Sequence, residues 1–321
     1  MKKIYVSGSV AYDEIMDFPH HFKDYFHPEK LHQINVSFAV SDLAKHLGGI
    51  TTNIVYALRN AQKYYGGKYG IFPVAAVGRD GDEILKFFKE NGIDTTYVQK
   101  DTKLYTATGK VITDMNDNQI WGFYYGAAAL NPKLETPLRS KSSEGQAKEV
   151  FWVISATHEK PFSTALRFAI NNKLPYMFDP GMTLTWIRDD LLKKGVLNAT
   201  YVIGNDYEIA MIEKRLKMTV RQMAAKGIQV ITTLGEKGVI LTTKDETIKV
   251  KAFRVRKVVD PTGAGDAWRG GFVGALAAGK TMKECLVMGN VMASFTVGTV
   301  GAVEYTTTRE EITKRIASLN P

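Results

Sequence analysis

Short apolar runs rich in valine, isoleucine and aromatic residues recur along the chain and alternate with stretches of helical period. The runs at Ile4–Ser7, Phe72–Val77, Val150–Ser155, Tyr176–Asp179, Tyr201–Ile203, Gln229–Thr233 and Val239–Thr242 predict strands. Between them Thr52–Tyr64, Glu83–Asn91 and Tyr207–Leu216 predict helices. Such alternation points to an α/β fold, a mainly parallel central sheet with helices on both faces. Two β-rich insertions break the rhythm. Ile34–Val40 sets its larger apolar residues on alternate positions, and Thr106–Tyr125 reads as a hairpin turning at Thr113–Asn118. They predict either a small separate sheet that closes over a site as a lid, from segments near 12–45 and 98–126, or ordinary surface hairpins. No internal repeat is visible, and only Ser140–Gln146 has the composition of a low-complexity loop. One domain spanning residues 1–321 is expected.

Composition narrows the class. The chain of 321 residues is 45% hydrophobic and 23% charged, ordinary values for a globular protein able to bury a full core. Its single cysteine, Cys285, excludes an intrachain disulfide and a Cys-rich zinc site, a pattern suited to a reducing cytoplasm. Lys2-Lys3 run straight into Ile4-Tyr5-Val6-Ser7-Gly8, which reads as a first core strand rather than a signal peptide. No apolar run approaches the roughly 18 residues of a membrane helix. A soluble, cytoplasmic protein with no membrane partner is expected. The net charge of +9 is spread over scattered Lys and Arg residues. That suits attraction of ATP and other phosphorylated metabolites better than binding of nucleic acid. His20, His21, His27 and His32 cluster without metal-ligand spacing and read as loop histidines.

The most informative segment is Val258-Val259-Asp260-Pro261-Thr262-Gly263-Ala264-Gly265-Asp266-Ala267. A strand is expected to end there, followed by a turn and a helix of small residues over Ala267–Ala278. Gly263 and Gly265 let backbone approach a ligand closely, and the free N–H groups of a helix start suit an anion. A transferring phosphoryl group, with charge spread over its outer oxygens, fits those donors. Asp266 in the same first turn is placed to accept a proton from an attacking hydroxyl. A plain helix cap with a glycine turn is the competing reading.

Asp260-Pro-Thr-Gly-Ala-Gly-Asp266 resembles the C-terminal signature of the ribokinase (PfkB) carbohydrate kinases. The resemblance implies a ribokinase-like fold, an anion hole from Gly263, Ala264 and Gly265, and Asp266 as catalytic base. Further marks follow in order. Gly48-Gly49 before Asn53 resembles the N-terminal signature that grips the sugar, and Asp13 matches the aspartate that holds ribose hydroxyls. Asn205-Asp206-Tyr207-Glu208 matches the motif that organises Mg²⁺ and phosphate through water. Thr233-Leu-Gly235-Glu-Lys-Gly238 matches the nucleotide-side glycine motif. Gly8 to Asp13, Phe18-Pro19, Leu31-His32, Ser37-Phe38, Asp42-Leu43 and Gly48-Gly49 resemble bacterial-type adenosine kinases more than sugar kinases. Met182 and Thr183 depart from that pattern where those enzymes tend to carry glutamines.

The resemblance thus implies ATP, Mg²⁺ and a nucleoside or sugar, with Ser9, Asp13, Ser37, Gly48, Gly49, Asn53 and Phe123 toward the substrate. On the nucleotide side it implies Asn205, Thr233, Gly235, Gly238 and Asn290, with Glu208 toward Mg²⁺. Asp260, with a loop near Thr299–Gly301, is expected to hold K⁺ behind the anion hole or to serve only as a turn residue. Phe38 and Phe123 are candidates to flank a base, with core packing as the alternative. Homodimers through the lid occur in such proteins. A non-catalytic nucleotide-binding protein on the same fold is a rival that Asp266 and its glycines argue against. Gly274–Thr281 fits GxxxxGK[ST], but no strand precedes it. Gly279 reads instead as a helix stop and Thr281 with Glu284 as a capping box.

Overall fold

A computed structural model describes residues 1–26, 35–116, 118–134 and 149–319. His27, Leu31, His32, Ile34 and the Ser140–Gln146 loop lie outside the described residues. Thirteen strands and nine α-helices are described. Seven strands form the parallel part of the main sheet: β1 (Lys3–Ser7), β4 (Gly70–Val77), β5 (Val98–Lys100), β8 (Val150–Ser155), β9 (Tyr176–Asp179), β10 (Tyr201–Asn205) and β11 (Gln229–Thr233). Strands β12 (Val239–Thr242) and β13 (Thr247–Val250) extend it antiparallel, giving the order β13-β12-β11-β10-β9-β8-β1-β4-β5. The strand order reverses between β1 and β8, and in open sheets of this kind ligands bind outside the carboxyl ends of the strands at that switch.

Helices α1 (Ile50–Tyr65), α2 (Asp82–Glu90), α7 (Ala264–Ala277), α8 (Met282–Thr296) and α9 (Arg309–Leu319) cover one face of the sheet. Helices α3 (Glu159–Asn171), α4 (Asp189–Leu197), α5 (Asp206–Leu216) and α6 (Val220–Ala225) cover the other. The strands are apolar because both faces are covered. Trp152 on β8 is fully buried and stacks on Tyr5 of β1 at 5.0 Å. Burying side chains of this kind is worth about 1.5–3 kcal/mol each. Helix α7 sits between α1 and α8 at backbone distance. A Cβ on Gly270 would lie 2.5 Å from the Ile54 carbonyl of α1, and one on Gly271 would lie 2.6 Å from the Met288 carbonyl of α8. Among the described residues no helix is long and apolar enough to cross a membrane.

A second sheet has the order β3-β2-β6-β7, from β2 (Ala11–Asp17), β3 (Asp42–Gly48), β6 (Ala107–Thr113) and β7 (Gln119–Tyr124). The two distant segments do pair, β2 lying parallel to β6, and β6 runs antiparallel to β7 with Thr113 opposite Gln119, as the expected hairpin requires. The expected strand at Ile34–Val40 is not. Residues 35–41 are irregular, and the ladder begins at Asp42. Phe38 instead packs its ring on Phe18, Phe22, Tyr25 and Phe26 at 4.7–6.0 Å. Its apolar neighbours thus mark an aromatic cluster, not a pleated face. Val98–Lys100 joins the main sheet beside β4, so the second segment of the small sheet starts at Ala107.

Candidate active site

Helix α7 begins three residues earlier than the sequence suggests, at Ala264, because Gly263 takes a left-handed conformation (φ +74°) as its N-cap. No side chain caps this end. A Cβ at Gly263 would lie 2.5 Å from the Ala302 Cβ, so the position accepts only glycine without rearrangement. The Ala264 N–H donates to the Pro261 carbonyl at 3.2 Å. That leaves the Gly263, Gly265 and Asp266 amides without a hydrogen-bond partner among the described residues, so of the expected set of Gly263, Ala264 and Gly265 only the Ala264 amide is engaged within the turn.

Asp266 accepts a hydrogen bond on Oδ2 from Asn53 Nδ2 of α1 at 2.9 Å. Burial pushes its carboxyl up to about 7; Arg269 and the Asn53 bond pull it down, while Asp179 and Asp13 push it up. A general base is most effective with its pKa near the working pH. Asn53, expected to contact the sugar, thus also holds Asp266, and its Oδ1 is buried with no partner among the described residues. Helix α1 starts as α7 does, at a glycine with positive φ, Gly49 (+86°), and without a side-chain cap. A Cβ there would meet the Ala11 nitrogen at 2.6 Å. Ser9 closes this corner by accepting from the Ile50 N–H at 3.3 Å.

The small sheet adds a cross-strand row, His46–Asp13–Gly109–Phe123. Asp13 lies flat against Gly48, where a Cβ would come within 2.1 Å of Oδ2. Burial pushes Asp13 up to about 6, His46 opposes that, and Asp260 and Glu304 add to it. A Cβ at Gly109 would sit 3.1 Å from Asp13 Oδ1 and 3.5 Å from Phe123 Cδ2, so this glycine spaces the carboxylate from the ring. Phe123 is 42% exposed, edge-on to Tyr125 at 4.9 Å. Ser37 is exposed in the irregular 35–41 segment. Beyond β9, Met182 is half exposed, while Thr183 is fully buried with Oγ1 unpartnered among the described residues.

On the opposite side Asn205 ends β10 and caps α5. Its Oδ1 accepts from the Glu208 N–H and Glu208 Oε2 accepts from the Asn205 N–H, both at 2.8 Å. Burial raises the Glu208 carboxyl above its ordinary value, with the Asn205 amide opposing. Thr233 is in register with Asn205. Gly235 (φ +57°) has open space around it, whereas a Cβ at Gly238 would lie 2.1 Å from the Val250 carbonyl. Asn290 does not fit the ligand role expected of it: it accepts from Trp268 Nε1 at 2.8 Å and donates to the Lys251 carbonyl at 2.7 Å, inside the protein. Asp260 accepts from the Thr262 and Gly301 amides at 2.8 and 3.1 Å, tying the turn to the second loop. Burial opposes its ionisation, but these bonds hold it below its ordinary value.

Two residues were invisible to motif reading. Arg269 sits on α7 under the turn, and Asp179 ends β9 beside it, their side chains 2.5 Å apart and nearly buried. The available signal was a lone charge inside the apolar stretch Ala267–Val273, since an arginine is rarely buried without a partner. The GxxxxGK[ST] match lies where expected of a decoy: Gly279 has φ +74° just after α7, and Thr281 and Glu284 form the capping box of α8.

The profile of the pfkB family carbohydrate kinases matches residues 8–309. The chain is 30% identical over 296 residues to a nucleoside kinase of Methanothermobacter thermautotrophicus, covering 90% of this chain and 87% of that one. It is 26% identical over 246 residues to a ribokinase of Bacillus subtilis, covering 75% and 80%. Its fold matches that of a Burkholderia thailandensis nucleoside kinase in complex with inosine, with a TM-score of 0.80, 27% identity and coverage of 98% and 97%.

Proposed function

Because this chain belongs to the pfkB family of carbohydrate kinases, and so is an ATP-dependent kinase acting on a hydroxyl group, we propose that its acceptor is the 5′-hydroxyl of a nucleoside, with adenosine first among candidates. The observation that carries this reading is the row in which Asp13 and the exposed Phe123 ring flank Gly109. It sets a carboxylate for ribose hydroxyls beside an aromatic face for a base, and similarity to two nucleoside kinases agrees with it. In this reading Asp266, held by Asn53, takes the proton of the attacking hydroxyl, and the Gly263, Gly265 and Asp266 amides receive the phosphoryl oxygens.

Among the described residues no cluster of three or more acidic, His or Cys side chains forms a metal cage. That fits Mg²⁺, which binds through substrate phosphates, water and one or two carboxylates. Glu208 would hold it through water, and the ion would neutralise charge on the phosphates. Asp260, tied to the Gly301 loop, would hold K⁺ beside that loop. Strand β7 is an edge strand whose large residues Ile120, Trp121, Phe123 and Tyr124 are each about half exposed. Such an edge supports pairing with a second copy through the small sheet.

The test is a substrate panel with purified protein. Nucleosides are expected to exceed ribose and fructose by at least about tenfold in kcat/KM, since stacking a base is worth about 1–3 kcal/mol. Met182 and Thr183 place inosine, guanosine and cytidine in the same panel. Phe123→Ala should weaken nucleosides and leave sugar activity unchanged. If ribose or a hexose is the best acceptor, the nucleoside reading fails and the sugar-kinase reading, favoured by similarity to ribokinase, replaces it.

A further inference from the structure

Beneath the turn that carries the base lies an ion pair that the catalytic reading does not use. Arg269 Nη2 donates to Asp179 Oδ1 at 2.5 Å, and Asp179 Oδ2 accepts from Ser155 Oγ at 2.8 Å. Arg269 thereby joins α7 to the carboxyl ends of β8 and β9. Its Nη1 donates to the Gly265 carbonyl at 2.8 Å. This carbonyl belongs to the peptide whose N–H is that of Asp266, so holding one end of the planar unit fixes the direction of the other. Gly265 has a second reason to be glycine: a Cβ there would lie 2.9 Å from Arg269 Nη1.

We propose that Arg269, held by Asp179 and Ser155, is a positioning residue that fixes the Asp266 amide in the first turn of α7 and sets a fixed positive charge on the helix face that carries Asp266. Asp266 and Arg269 are three residues apart on one helix and share a face. The groups facing the base are Asn53 from α1, Arg269 from its own helix, Asp179 from β9 and Asp13 from β2. Arg269 is the one cation among them. It is also coupled to Glu208 on α5, so a single guanidinium balances carboxylates from the base side and the nucleotide side. An arginine suits this place because its planar fork engages a carboxylate and a carbonyl at once without losing its charge.

The inference rests on Asp266 being the base, and the test separates the two. The pH dependence of kcat/KM is measured for the wild type, Arg269→Met, Arg269→Lys and Asp179→Asn, with thermal melts as a check on folding. Removing the positive charge in Arg269→Met should move the acid limb up by about one pH unit or more, the size expected for loss of a nearby opposite charge. Asp179→Asn removes the competing negative charge and should move the limb down. Arg269→Lys keeps the charge but not the fork, so its limb should stay while kcat falls about tenfold or more. A structural role alone would lower activity in all three without moving the limbs in opposite directions, and that result overturns the inference. If Arg269→Met does not fold, a limb in Asp179→Asn that stays or rises overturns it. A wild type with no acid limb overturns the assignment of Asp266 and the inference with it.

Discussion

Helices α5 and α7 both start at the carboxyl edge of the main sheet, yet their N-termini are finished in opposite ways. Helix α5 closes itself: Asn205 and Glu208 satisfy each other's backbone amides in a reciprocal box. Helix α7 is left open, with Gly263 contributing no side chain and the amides of its first turn unpaired within the helix. Helix α8 is closed by Thr281 and Glu284, while α1 is intermediate: Gly49 gives it no cap, but Ser9 accepts the Ile50 N–H on Oγ and the Thr51 N–H on its carbonyl. The starts of α1 and α7 meet at the Asn53–Asp266 hydrogen bond, and of the two only α7 is left open. An uncapped helix start inside a folded protein is an anion site in waiting, whereas a boxed one offers a ligand only its side chains.

The comparison can be broken most severely at the open end. Asp266→Asn should lower kcat by roughly 10²–10⁴-fold with little change in substrate affinity, measured by steady-state kinetics and equilibrium binding. The same variant has a second signature. Because the folded carboxyl sits at about 7, above an ordinary aspartate, the folded state holds the proton more tightly than the unfolded state. Stability therefore falls as pH rises from the ordinary value through about 7. Asp266→Asn should melt higher than the wild type at pH 8 and show a smaller gain at pH 5.

Gly263→Ala keeps every catalytic side chain but forces a Cβ against Ala302 at a positive φ. A displaced first turn should cost about 10²-fold in kcat, together with a lower melting temperature. At the closed end the effects shrink. Asn205→Ala removes one half of a box and should cost about 1 kcal/mol of stability, read by denaturant titration, with KM for ATP raised more than kcat is lowered. Smallest of all is Lys280→Ala at the α7–α8 turn, where ATP turnover should stay within a few-fold of the wild type. Abolished ATP binding there would restore the phosphate-loop reading.

Capping boxes and glycine turns are written in consecutive residues, which is why both kinds of helix start were legible. Thr281 with Glu284 needs only a spacing, and Gly263–Asp266 is a contiguous word. The parallel strands were legible for a similar reason, since Val150–Ser155 and Tyr201–Ile203 are apolar enough to be buried on both faces. What escaped depends on distant partners. Strand β3 was missed because Asp42–Gly48 mixes charge into both faces; its ladder exists because β2 is there to receive it. The ion pair of Arg269 with Asp179 joins residues ninety positions apart, and no local pattern announces it. Asn290 was misassigned because its partners, Trp268 and Lys251, come from two other segments.

The glycines of α7 give the site a fixed jaw. Gly270 and Gly274 press against α1 so closely that added carbons would lie 2.5 Å from the Ile54 carbonyl and the Ala61 Cβ, and Gly271 does the same against α8. Asp266 and Asn53 therefore ride on one rigid block, and under the proposed nucleoside reading the reach between base and acceptor hydroxyl is set from the other jaw. That jaw is the row on the small sheet, where Asp13 and Phe123 are set by strands outside the main core. Redesign toward a different acceptor is best confined to β2, β3, β6 and β7, where the bite can be reshaped while the anvil is left untouched.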